Sequence, residues 1–188
     1  MIFGIDFDNT IVNYDSVFKK IAKKEKTLKN KKFNTKDSIK NFLIKENKVN
    51  EWKKLQGQVY SEHIYAAIPN IEILKLLKYL DSNNIKFYIV SHKTLYPYVG
   101  KKINLHRLSK KWLKENIFNK KNNFKKKDHA YFEKTKKEKI KRIKKMKITH
   151  FVDDLDVILN KLPKEIFGIK YKNSFKFNII KKNLLMHL

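Results

Sequence analysis

Asp6 and Asp8 stand one residue apart at the end of the apolar run Ile2–Ile5, with Asn9 and Thr10 directly behind them. In an extended chain alternate side chains point the same way, so the two carboxylates share a face if the strand continues to Asp8. Like charges at that separation repel, and a fold accommodates them when one is protonated or when a cation lies between them. A hard, oxygen-liganded ion such as Mg²⁺ is the usual solution. The pair reads as chemistry placed where a buried strand stops.

Three further segments end in reactive side chains. Ile85–Val90 is a β-rich run closed by Ser91, a hydroxyl where a strand is expected to give way to a loop. Ile148–Val152 is another, closed by the adjacent acids Asp153 and Asp154. Between them, Thr135-Lys136-Lys137-Glu138-Lys139-Ile140 has the Thr-x-x-Glu spacing of a capping box, which opens a helix with lysines in its first turns. In an open parallel sheet, ligands bind at the carboxyl ends of the strands, so all four segments can converge there.

In this order, Asp6-x-Asp8-x-Thr10, Ser91, a helix-borne lysine and Asp153-Asp154 resemble the motifs of the haloacid dehalogenase-like (HAD) superfamily. The resemblance covers roughly residues 1–13 and 69–170. It implies a Mg²⁺-dependent phosphomonoester hydrolase in which Asp6 attacks phosphorus and carries an aspartyl-phosphate intermediate. Asp8 would protonate the leaving oxygen and then take a proton from water, which needs a pKa raised by burial or by neighbouring acids. The implied metal ligands are Asp6, the backbone carbonyl of Asp8, and Asp153 or Asp154. Ser91 would donate to the phosphoryl group, and a lysine of the 136–139 turn would neutralise its charge. Lys139 comes first and Lys136 next, because related sequences carry a lysine directly before the first buried isoleucine of this helix. Asn9, Thr10, His92 and Lys93 are the expected substrate contacts.

These residues need a scaffold, and strands alternating with helices predict an α/β fold with a doubly wound parallel sheet of the HAD-like, Rossmann-like kind. The expected catalytic core is residues 1–13 and 69–188. Residues 14–68 are expected to form a small helical cap insertion, with helices over about 15–26, 35–47 starting at the cap Thr35, and 48–63. The family resemblance implies that such a cap acts as a lid and helps choose the substrate. Within it, the segment Leu55–Tyr60 is similar to one found in a subgroup of these phosphatase-like proteins. After Pro69, Ile73, Leu74, Leu77 and Leu80 mark a further helix with Asn83-Asn84 as a left-handed stop, and others are predicted near 105–116, after Thr135, after Asp154 and over 175–186. Residues 122–128 read as a polar connection, His129–Phe132 as a short extra strand and Ile166–Ile169 as the last one.

Composition narrows the rest. A chain of 188 residues suits one domain with an insertion. Cysteine is absent, so disulfides and thiolate metal sites are excluded. No apolar run is long enough to span a bilayer, no basic leader precedes the first apolar stretch, and a cytoplasmic location is expected. The net charge of +27 invites a nucleic-acid partner. Against that, Arg107 and Arg142 are the only arginines, and the lysine runs at 19–32, 120–127 and 134–147 are spread along the chain as solvated helix faces and a loop. The favoured substrate is a small phosphorylated metabolite, such as a sugar phosphate. The alternatives are an end-processing phosphatase for nucleotides or nucleic acid, and a non-catalytic binding protein of the same fold. Four polar groups gathered in one cleft weigh against the last.

Overall fold

The computed structural model describes residues 1–125, 130–172, 174–179 and 181. The short apolar runs read from the sequence become strands: β1 (Ile2–Ile5), β4 (Lys86–His92), β5 (Ala130–Glu133), β6 (His150–Asp153) and β7 (Phe167–Lys170). They form one sheet in the order β5-β4-β1-β6-β7, and every adjacent pair is parallel. Two further two-residue strands, β2 (Val12–Asn13) and β3 (Ile68–Pro69), make a separate pair. With β1 central, the chain winds first toward β5 and then back toward β7, so the fold is a doubly wound α/β sheet. The strand order reverses beside β1, and ligands of such sheets bind at the carboxyl ends there.

Besides the helical residues 177–179 and 181, the described residues form α1 (Asp15–Ala22), α2 (Lys36–Lys45), α3 (Val49–Tyr60), α4 (Ile71–Ser82), α5 (Leu105–Asn116), α6 (Lys136–Lys145) and α7 (Asp156–Leu159). The chain divides into two units. The first comprises residues 1–12, 69–93 and 114–188 and carries the whole five-stranded sheet. The second comprises residues 13–68 and 94–113.

In the first unit, register decides which side chains share a face. Gly4 is level with Tyr88 on one side and Phe151 on the other. A Cβ on Gly4 would run into the Phe151 ring, so glycine is what lets that ring lie across β1. Tyr88, Val90 and Phe151 pack with Ile143 of α6 and Ile158 of α7. Two residues beyond Gly4 and Phe151, on the same side by strand alternation, come Asp6 and Asp153. The face that α6 covers therefore ends in two acids.

The second unit is held by aromatic packing: Phe18 stacks on Trp52 at 5.4 Å, and Tyr14 lies 4.8 Å from Tyr60. Trp112 is buried and donates from Nε1 to the Ala67 carbonyl at 3.1 Å. Residues 94–113 were expected in the sheet-bearing core but group with 13–68. The close approach of Val99 to Gly57 is one reason, since the glycine leaves room for its carbonyl.

Several element boundaries differ from the sequence reading by a few residues. Helix α1 stops at Ala22 rather than near 26, because the apolar stripe of Val17, Phe18 and Ile21 has no apolar successor one turn later. Ser91 lies inside β4 rather than in the loop after it. The caps agree: Thr35 and Thr135 each accept from the N3 backbone in a capping box, and Asn84 has the left-handed φ of 56°. Of the helix expected over 175–186, residues 177–179 and 181 are helical and half of the span lies outside the described residues, as do 126–128 of the polar connection and His129.

Candidate active site

Strand β1 ends at Ile5, but its ladder runs one residue further, because the Asp6 amide donates to the Val152 carbonyl at 2.9 Å. This fixes Asp6 level with the carboxyl ends of β4 and β6. The chain then turns. Val12 N donates back to Phe7 O at 3.0 Å, and Asn9 takes a left-handed φ of 59°, which asparagine tolerates better than most residues. Asn70, at the start of α4, ties this turn down through Nδ2 to the Thr10 carbonyl and through its own amide to Ile11 O at 2.8 Å.

Asp6 is buried and its carboxylate accepts from two side chains. Ser91 Oγ donates to its Oδ1 at 2.9 Å, and Lys139 Nζ donates to the same oxygen. Lys139 also donates to Asp153 Oδ2 at 2.6 Å, so one ammonium bridges two acids. The local sequence explains its reach. Lys139 stands four residues before Ile143 and so lies on the buried stripe of α6, above the sheet face that ends in Asp6 and Asp153. Lys139 is 1% exposed, whereas Lys136, one turn nearer the helix start, is exposed to solvent. Of the two lysines singled out in the sequence, only Lys139 reaches the acids.

The electrostatics follow from this burial. Desolvation pushes the Asp6 carboxyl well above its ordinary range; Lys139 opposes that, and the neighbouring Asp153 and Asp154 add to it. Burial alone would lower the Lys139 ammonium, but Asp6 and Asp153 outweigh it and hold the lysine charged. Asp6, Asp153 and Asp154 each present an oxygen within 4.8 Å of the others. Among the described residues, both donors to Asp6 use Oδ1, and none donates to Oδ2. Three carboxylates, one with an uncommitted oxygen and a pKa raised by burial and then by its acidic neighbours, are a donor set suited to a hard divalent cation.

Asp8 does not share this cluster. Beyond the turn it meets Lys93, whose Nζ donates to both carboxylate oxygens at 2.7 and 2.8 Å. The two carboxylates meet different ammonium groups: Lys139, shared with Asp153, at Asp6, and Lys93 at Asp8. Strand alternation accounts for it, because Lys93 follows Ser91 by two residues and turns to the same side once Ser91 is recognised as part of β4. Lys93 is 3% exposed and its amide donates to Glu133 O at 2.8 Å, which continues the β4 pairing.

The remaining expected residues are less uniform. Asn9 Nδ2 donates to Asp154 Oδ2 at 3.3 Å. Thr10 is fully buried and its hydroxyl has no hydrogen-bond partner among the described residues. His92 is half-buried and donates from Nε2 to the Lys134 carbonyl at 3.1 Å. Asn70 was not anticipated as part of the site; its only sequence signal is a cap-type residue following Pro69.

No protein-family model matches the chain, and no curated protein is significantly similar to it. Among solved structures, a HAD-superfamily hydrolase from Ehrlichia chaffeensis is similar over 98% of this chain and 96% of that one, with 17% identity and a TM-score of 0.46.

Proposed function

We propose that the protein is a HAD-type hydrolase that cleaves phosphomonoesters of small metabolites by way of an aspartyl-phosphate on Asp6. One observation carries the reading: Asp6, Ser91, Lys139 and Asp153 meet within hydrogen-bond distance at the carboxyl ends of β1, β4 and β6.

In this reading Asp6 Oδ2 is the nucleophile, because Oδ1 is anchored by Ser91 and Lys139 and the second oxygen is left to attack phosphorus. Lys139 opposes the upward push of burial on Asp6 and lies ready to offset charge on the transferring phosphoryl group. Mg²⁺ held by Asp6, the Asp8 carbonyl and Asp153 or Asp154 would supply the further positive charge that lets an anionic nucleophile approach an anionic phosphate. A carboxylate that accepts from an ammonium through both oxygens has no proton to give. The proton for the leaving oxygen therefore passes from the Lys93 ammonium to Asp8 and on to the alcohol product. Hydrolysis of the aspartyl-phosphate reverses this, with Asp8 taking a proton from the attacking water and returning it to Lys93. The helical insertion of residues 14–68 is the part we assign to choosing among substrates.

The test is hydrolysis of p-nitrophenyl phosphate. Turnover that needs Mg²⁺, stops with chelator, is absent in Asp6→Asn and needs a higher Mg²⁺ concentration in Asp153→Asn is the expected result. Inactivity of the wild-type protein across a broad phosphomonoester panel would overturn it in favour of a binding protein.

A further inference from the structure

The second unit contains a cavity of about 570 Å³ whose wall carries Lys19, Lys20, Lys23, Lys31 and Lys32 and no carboxylate. We infer that it is a binding site for single-stranded nucleic acid. This goes beyond the hydrolase reading and does not depend on it.

The lysines of this stretch do not all lie along one helix face. Helix α1 ends at Ala22, and the chain then folds back in successive turns, so that Lys31 and Lys32 join Lys19, Lys20 and Lys23 around one concavity. The returning segment is pinned: Leu28 is 2% exposed, Thr27 Oγ1 donates to Glu51 at 2.6 Å, and the Lys36 amide donates to Asp15 Oδ1 at 2.8 Å. The acids of the neighbourhood are turned elsewhere. Glu51 and Asp15 accept those bonds, and Glu25 pairs with Lys54 at 3.7 Å. Five ammonium groups around one hollow repel each other, and a polyanion relieves that repulsion while releasing its own counterions.

The cavity is not simply a charge trap, and this selects the polyanion. Phe33 forms part of its wall and is half-buried, braced at 5.6 Å against Phe42, so one aromatic surface stands among the lysines. Lysines tracking a backbone with an aromatic ring for a base to stack on is the chemistry of single-strand binding. Lysine point charges in place of arginine forks fit contact with phosphates and not the reading of base edges. The volume falls in the range that holds a nucleotide-sized group.

The experiment is fluorescence anisotropy of the full chain with a labelled single-stranded oligonucleotide of mixed sequence. Affinity is expected to fall about 100-fold between roughly 50 and 200 mM salt, the single-strand slope for about five phosphate contacts. The double variant Lys31→Glu, Lys32→Glu should lose more than about 10-fold in affinity and show a flatter salt slope. Phe33→Leu, which keeps apolar bulk but removes the stacking face, should also weaken binding. The same charge change at the exposed Lys120 and Lys121 should do far less. Equal losses at both lysine pairs would mean that net charge alone binds, and would sink the proposal. So would inorganic polyphosphate competing as well as the oligonucleotide with Phe33→Leu silent, or binding to anionic vesicles without binding to the oligonucleotide.

Discussion

Lys93 Nζ lies 2.7 and 2.8 Å from the two carboxylate oxygens of Asp8, and this pair is distinct from the Asp6–Lys139–Asp153 cluster. If the two residues handle one proton between them, removing either should cost the same step. Lys93→Met and Asp8→Asn are each expected to lower kcat for an aryl phosphate by about 10²–10⁴-fold, the usual worth of general acid–base catalysis. The double variant should be little worse than either single one, because residues acting as a unit are not additive. Multiplying losses in that cycle would show independent roles.

Lys139 holds two buried acids apart, and Lys136 holds none. Lys139→Met leaves Asp6 and Asp153 facing each other without a cation, and unpairing a buried charge costs about 3–5 kcal/mol. Denaturant unfolding should register a loss of that size in the metal-free protein. Lys136→Met, at an exposed position, should stay within about 0.5 kcal/mol of wild type. Equal stability of the two variants would remove Lys139 from its structural role.

Much of this arrangement is legible in the sequence, because strand ends and capping boxes are local signals. Asp6, Ser91 and Asp153 each close an apolar run, and Thr135 with Glu138 marks the start of α6 and so fixes where Lys139 points. Lys93 shows where local reading stops. Taking Ser91 as the first loop residue broke the alternation that would have turned Lys93 to the same side. The membership of 94–113 in the second unit depends on packing between distant segments, Gly57 with Val99, which no periodicity records. The lysines of 19–32 are mostly exposed, as their spacing suggests, but that several of them line one concavity depends on the turns after Ala22, which no periodicity records.

His92 should leave a mark on stability against pH. Burial holds its imidazole below the ordinary value, and the charges of Lys139 and Lys136 add to that, against the Lys134 carbonyl and Asp8, which favour the protonated ring. The unfolded chain then binds a proton near pH 6.5 that the folded chain refuses until lower pH. Stability from this group is complete above that value and declines as pH falls through it, ceasing to change once pH drops below the folded pKa. Thermal unfolding of His92→Gln followed from about pH 7.5 to 5 should show a shallower decline than wild type. An unchanged slope would mean that His92 titrates alike in both states.

Gly57 tests whether the second unit depends on the return of 94–113. It lies within α3, where glycine normally costs about 1 kcal/mol relative to alanine, so substitution by alanine at a free helical position should stabilise. Here a Cβ would collide with the Val99 carbonyl and lie 3.2 Å from Pro97 Cβ, and the backbone carbonyl cannot swing aside as a flexible side chain would. Overpacking of this kind costs about 1–3 kcal/mol and outweighs the helix propensity gained. Gly57→Ala should therefore lower the melting temperature, while Gln56→Ala, one residue earlier on the same helix, should change it little. A melting temperature raised by Gly57→Ala would show that the segment carrying Val99 does not pack on α3.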